Sequence, residues 1–150
     1  MKRFGLLILS ITLLSWHTEA QEIYFDEPVA LPETINSEAE ESKPMLSNDG
    51  KQFYFVRTVS ELNNGGIEGG QDIWLASNDR GSFGNVTNQV SPLNNEENNA
   101  VVGLSANGRS LYVINSYTPR RVRRQGIAVT EYKDDSWSYP AEIDVEVKVN

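Results

Sequence analysis

The chain has 150 residues, of which 13 are Lys or Arg and 21 Asp or Glu, giving a net charge of −8 near neutral pH. Such an acidic chain is poorly suited to nucleic acid or to an anionic membrane surface, both of which need concentrated positive charge. It contains no cysteine and one histidine, His17, which excludes disulfides, thiol nucleophiles and zinc sites built from several His or Cys side chains.

The first predicted element, residues 1–20, is an export leader. Lys2 and Arg3 form a positive start, Phe4 to Leu14 an apolar run, and Thr18-Glu19-Ala20 a small-x-small end. An apolar run of that length falls short of the about 20 residues a spanning helix needs, so we expect cleavage after Ala20 rather than a membrane anchor. Cleavage removes His17, and with it any Ser-His-Asp mechanism. It also removes Lys2, Arg3 and Glu19, taking the net charge from −8 to −9. Residues 21–150 are long enough for one domain, and their apolar residues fall in short runs broken by Gly, Asn, Asp and Ser. No helical period is sustained over three turns, so the expected class is all-β.

Ile23-Tyr24-Phe25 opens this domain and reads as one leading outer strand without its own hairpin. Strands are then expected near Lys43 to Leu46, Gln52 to Arg57, Gln71 to Ser77 and Val86 to Val90. A second set follows near Val101 to Ser105, Ser110 to Asn115, Gly126 to Tyr132 and Ala141 to Val147. The two sets are copies of one unit. Ser47-Asn48-Asp49-Gly50-Lys51-Gln52-Phe53-Tyr54-Phe55-Val56 recurs 58 positions later as Ser105-Ala106-Asn107-Gly108-Arg109-Ser110-Leu111-Tyr112-Val113-Ile114. Each copy reads as a strand end, a tight turn closed by Gly, and a β-rich strand. Hairpins repeating every 50 to 60 residues point to a propeller or related array. The first blade spans about 37–93 and the second about 95–149. Phe53 to Val56 and Ile73 to Ala76 are apolar on both sides of the strand, as expected where a sheet is covered on both faces.

Asn36, Glu38, the run Pro44-x-Leu46-Ser47-x-Asp49-Gly50-Lys51-x-x-Tyr54-Phe55, then Gly70-x-Asp72-Ile73-Trp74, and Phe83 before Val86 resemble the WD40-like propeller repeats of the TolB type found in exported bacterial proteins. The resemblance covers nearly all of residues 21–150 and is weaker in the second copy, where Asn107 replaces the turn Asp and Gly126-Ile127-Ala128 stands in place of Asp-Ile-Trp. It implies four-stranded antiparallel blades, a place in the periplasm, at the outer membrane or outside the cell, and structural rather than catalytic roles for Ser47, Asp49, Gly50, Tyr54, Asp72, Trp74, Ser105, Gly108 and Tyr112. Propellers usually close with four to eight blades, whereas two blades and a leading strand are expected here. The blades belong to a longer product, or several copies close a ring, or the two sheets settle as a sandwich.

The candidate chemistry is sparse. Glu38, Glu40, Glu41, Glu96, Glu97, Asp134 and Asp135 are available for acid/base work at a sugar, but read more simply as solvated loop acids. Glu38 to Glu41 and Asn94 to Asn99 offer oxygens without the Asp-x-Asp-x-Asp-Gly spacing of a calcium loop. Ser77 to Phe83 comes one residue short of the Asp-box of sialidase-type propellers. Asn63 to Gly70 lacks the helix and Lys that a phosphate loop needs and reads as a flexible hairpin loop. No catalytic residue, metal site or cofactor is expected. The exception to the acidic background is Arg120, Arg121, Arg123 and Arg124, four guanidinium groups in one hairpin loop, suited to carboxylate or phosphate partners. The expected role is therefore an exported, non-catalytic module binding a protein or an anionic envelope component; the alternative is the propeller portion of a larger peptidase or glycosidase.

Overall fold

A computed structural model describes residues 22–114, 117 and 126–143. The leader and Arg120, Arg121, Arg123 and Arg124 lie outside them. The described chain is all-β: β1 (Glu40–Leu46), β2 (Gln52–Thr58), a 3-10 turn (Gly66–Gly69), β3 (Gln71–Asp79), β4 (Ser82–Thr87), β5 (Ala100–Leu104), β6 (Ser110–Ile114), β7 (Ile127–Lys133), β8 (Ser136–Trp137) and β9 (Ala141–Glu142).

The repeated turn is built from its own side chains. Ser47 Oγ donates to Asp49 Oδ1 at 2.7 Å, and the Lys51 amide donates to the same oxygen at 3.1 Å. The Gln52 amide donates to Ser47 Oγ at 2.8 Å, and Gly50 closes the turn at φ 70°. These bonds hold the exposed Asp49 carboxyl below its ordinary range, the Ser47 hydroxyl contributing most. The second copy repeats them, Ser105 Oγ donating to Asn107 Oδ1 at 2.8 Å, the Arg109 amide to that oxygen at 3.0 Å, and Gly108 again at φ 70°. An amide oxygen accepts where a carboxylate oxygen did, so replacing Asp by Asn leaves the turn unaltered.

Sheet 1 runs β1-β2-β3-β4, all antiparallel; sheet 2 runs β5-β6-β7-β8, with β9 also pairing with β7. Register assigns the faces. Tyr54 lies opposite Leu75 and Val56 opposite Ile73, forming what we call the tyrosine face of sheet 1; Phe53 opposite Ala76 and Phe55 opposite Trp74 form its reverse face. In sheet 2, Tyr112 opposite Val129 and Ile114 opposite Ile127 form the tyrosine face, and Leu111 opposite Thr130 and Val113 opposite Ala128 the reverse face.

Unlike faces meet. Tyr54 and Ile73 of sheet 1 share one core with Val101, Leu111, Val113 and Ala128 of sheet 2, together with Val90, Leu93 and Tyr117. Strand β5 lies against β1, β2 and β3, and Asn48 Nδ2 ties the two repeat turns by donating to the carbonyls of Ser105 at 3.2 Å and Ala106 at 2.7 Å. Each fully buried Leu or Ile in such a core contributes about 1.5 to 3 kcal/mol relative to exposure. The sheets are stacked like successive units of an array and do not close into a barrel, which is consistent with an incomplete propeller.

Several expected boundaries shift. The leading strand does not form: residues 22–39 carry no strand, and Ile23, Tyr24, Phe25 and Val29 are exposed. Pro28 and Pro32 have no amide hydrogen to donate to a ladder. Leu31 and Ile35 instead pack over Phe55, Trp74 and Ala76 on the reverse face of sheet 1. The fourth strand begins four residues before its expected start, at Ser82, because Arg80 and Gly81 both take positive φ (53° and 90°) and turn the chain at once. Val90 lies outside any strand and is buried in the core between the sheets. In the second unit β9 starts at the expected Ala141, residues 144–147 of that expected strand lie outside the described residues, and an unexpected short strand, β8, precedes it with Pro140 between the two.

Candidate functional site: a buried polar cluster at the start of β3

At the N-terminal end of β3 the segment Val59 to Gly70 meets the linker Asn88 to Asn99, and asparagine side chains join the two to the strand. Asn63 Nδ2 donates to the carbonyls of Arg57 (2.8 Å) and Gly70 (3.2 Å), while its Oδ1 accepts from Trp74 Nε1 at 3.0 Å. Asn94 Oδ1 accepts from the Ile73 amide at 2.8 Å; its Nδ2 donates to the carbonyls of Ile73 (2.8 Å) and Asn88 (2.9 Å). Asn94 thus pairs with Ile73 as a one-residue strand would. The Asn99 amide donates to the Gln71 carbonyl at 2.8 Å and the Gln71 amide to Asn98 Oδ1 at 3.2 Å. Residues 63–70 form the loop between β2 and β3, tied to the strands at Asn63 and Asn64 and containing the 3-10 turn.

Asp72 sits at the centre with no solvent exposure. Its Oδ2 accepts from the Asn64 amide at 2.8 Å and from Asn88 Nδ2 at 3.1 Å, whereas Oδ1 has no hydrogen-bond partner. Asn88 Nδ2 also donates to the Leu62 carbonyl. Burial raises the Asp72 pKa above the usual carboxylate value, and the two bonds to Oδ2 offset this in part. Arg57, opposite Asp72 in register, turns away from it. Its guanidinium carbon lies 4.2 Å from the Trp74 ring centroid, Nε donates to Glu41 Oε1 at 2.9 Å, and an Nη donates to the carbonyls of Thr34 (3.0 Å) and Ile35 (3.2 Å). Arg57 thereby fastens the leading segment onto sheet 1.

The expected motif residues occupy separate places. Ser47, Asp49 and Gly50, and Ser105 and Gly108, lie in the two turns. Tyr54 is buried between the sheets with its hydroxyl donating to Gln52 Oε1 at 2.7 Å, and burial pushes its pKa up to about 12. Tyr112, its counterpart, is exposed. Asp72 and Trp74 are brought together with Arg57, Asn63, Asn64, Asn88 and Asn94. Sequence reading missed these last five, although Asn94 stands 58 positions after Asn36, the same spacing as the repeated turn, which was a signal for one of them. Glu41 is engaged by Arg57, and Asp134 and Asp135 take positive φ (51° and 61°) as the β7–β8 turn. Among the described residues no three His, Cys, Asp or Glu side chains gather to hold a metal ion, and no helix is long and apolar enough to cross a membrane.

Chemically, the cluster uses most of its polar groups internally, Asp72 Oδ1 being the exception. A carboxylate with no exposed surface cannot take a proton from an outside substrate, so Asp72 acts on the chain itself by holding 63–70 and the linker against β3. No protein-family model, curated protein or solved structure matches the chain.

Proposed function

We propose that the chain is an exported, non-catalytic module of TolB-type, WD40-like propeller repeats that binds a protein or an anionic component of the cell envelope through its loops. The observation that carries this reading is the use of the motif side chains. Ser47, Asp49, Asp72, Trp74 and Ser105 all bond within the chain, at turns or at the start of β3, and so supply a stiff platform instead of reactive groups. Arg120, Arg121, Arg123 and Arg124, which fall in the sequence between β6 and β7 and outside the described residues, supply the concentrated positive charge that suits carboxylate or phosphate groups.

The test is co-sedimentation of the full chain with purified bacterial cell-wall sacculi carrying anionic polymer, at low and high salt. The four-Gln variant R120Q/R121Q/R123Q/R124Q should lose binding by about tenfold or more, and salt should weaken the wild type in the same way. Unchanged binding by the variant would remove the arginine loop from the proposal.

A further inference from the structure

The two copies of the unit allow each face to be compared with its counterpart. Tyr54 of sheet 1 is 1% exposed, whereas Tyr112 of sheet 2 is 38% exposed; Ile73 is 0% exposed, whereas Ile127, which register places in the same position, is 40% exposed. The difference has one cause. The tyrosine face of sheet 1 is covered by the reverse face of sheet 2, and nothing described covers the tyrosine face of sheet 2, where Val102 is also exposed. At the opposite end the comparison runs the other way. Phe53 on the reverse face of sheet 1 is half-buried, but its counterpart Leu111 is fully buried because it has sheet 1 against it. The linkers share one buried position: Ile35 packs on the reverse face of sheet 1, and Leu93, 58 positions later, is buried in the core between the two sheets.

Among the described residues the two outer faces are therefore unlike: the tyrosine face of sheet 2 is open, while the reverse face of sheet 1 is closed by Leu31 and Ile35, with Phe53 and Phe83 half-buried; faces of these two kinds already dock once in the interior. We propose that the tyrosine face of sheet 2 is a docking surface for a second copy of this chain, which seats there the reverse face of its own sheet 1, where Phe53 and Phe83 are half-buried beside the Leu31 to Ile35 cover. The contact continues the internal sheet-on-sheet interface with the same pairing of faces. It lacks one internal feature, since Ala106 stands where Asn48 bonds the neighbouring turn, so the new contact is held by apolar burial around Tyr112, Ile114, Ile127 and Val129. Because the surfaces are different, docking is head to tail; it closes a ring if the rotation per copy allows and otherwise grows as a filament. It does not depend on what the chain binds outside itself.

The full chain, expressed with its leader so that any processing occurs in the cell, should be followed by sedimentation velocity up to about 100 μM, where a contact of micromolar strength is saturated. We expect assembly into a discrete oligomer or a concentration-dependent series. The variant Y112K/I127K, which alters only exposed positions of sheet 2, should stay monomeric with self-association weakened about 100-fold. It should still bind wild-type copies, because its reverse face is intact, and so shorten or cap their assemblies. Should that variant fail to fold, hydroxyl-radical footprinting of the wild type gives the same decision, with Tyr112 becoming protected as concentration rises. A wild type that remains monomeric, a variant that assembles as the wild type does, a variant unable to bind the wild type, or a Tyr112 whose reactivity ignores concentration would each overturn the proposal.

Discussion

Asn94→Ala removes the side chain that completes β3. Ile73 is fully buried and presents both its amide and its carbonyl to Asn94 rather than to β2. The substitution strands these two groups and also takes a donor from the Asn88 carbonyl. A buried backbone group left without a partner costs about 1 to 3 kcal/mol, and because Asn94 is half-buried water can recover part of that. The expected loss is about 2 to 4 kcal/mol, which for a domain of this size lowers Tm by roughly 8 to 15 °C. The matched control is Asn36→Ala, at the equivalent position of the repeat. Asn36 is exposed, and its Nδ2 donates to the Leu31 carbonyl at 3.2 Å, so its removal should cost no more than about 0.5 kcal/mol. Urea unfolding, read by the fluorescence of buried Trp74 and by far-ultraviolet circular dichroism, gives both values. Equal losses in the two variants, or a loss below about 1 kcal/mol in Asn94→Ala, would refute the assignment of Asn94 as a surrogate strand.

Three further outcomes follow from the same bonds. Exchanging the turn residues, Asp49→Asn or Asn107→Asp, should change stability by less than about 0.5 kcal/mol in urea unfolding, whereas Gly108→Ala at φ 70° should cost about 1 kcal/mol or more. Glu41→Ala leaves the buried Arg57 guanidinium without its carboxylate and should lower stability by about 3 kcal/mol, with faster proteolysis before residue 40 as the leading segment comes away. Tyr54 has its pKa raised to about 12 by burial, so the folded state holds that proton more tightly than the unfolded one. Its contribution is fully present below the ordinary tyrosine pKa of 10.0 and is lost as the pH rises from there through about 12. Unfolding followed across that window should show a falling alkaline limb, and Tyr54→Phe should flatten it.

Much of the strand layout was legible in the chain because its causes are local. Ser47, Asp49 and Gly50 make a turn from bonds that span at most five residues, and the 58-residue recurrence of that turn locates β2 and β6 to within a residue. The cluster around Asp72 was less legible, because each asparagine in it looks like a loop residue until a strand end is placed beside it. Ile23-Tyr24-Phe25 misled for the complementary reason: it has the residues of a strand, but strand formation needs an edge with free backbone groups, and these residues stay exposed while Leu31 and Ile35 bring the leading segment onto sheet 1.

The sequence by itself determined that the chain is all-β and where its two hairpin units begin, since these depend on φ preferences and side-chain bonds within a few residues; that Asn107 makes the same turn as Asp49, where the sequence suggested a weaker copy, came from the structure. Tertiary structure alone decided the rest. Tyr54 and Tyr112 stand at the same place in the same local structure, yet one is buried and the other is not. Asn94 and Asn36 are likewise equivalent by repeat, and only Asn94 meets an unpaired strand. In both pairs the difference lies in which neighbouring sheet is present, a long-range property that no local pattern in the chain encodes.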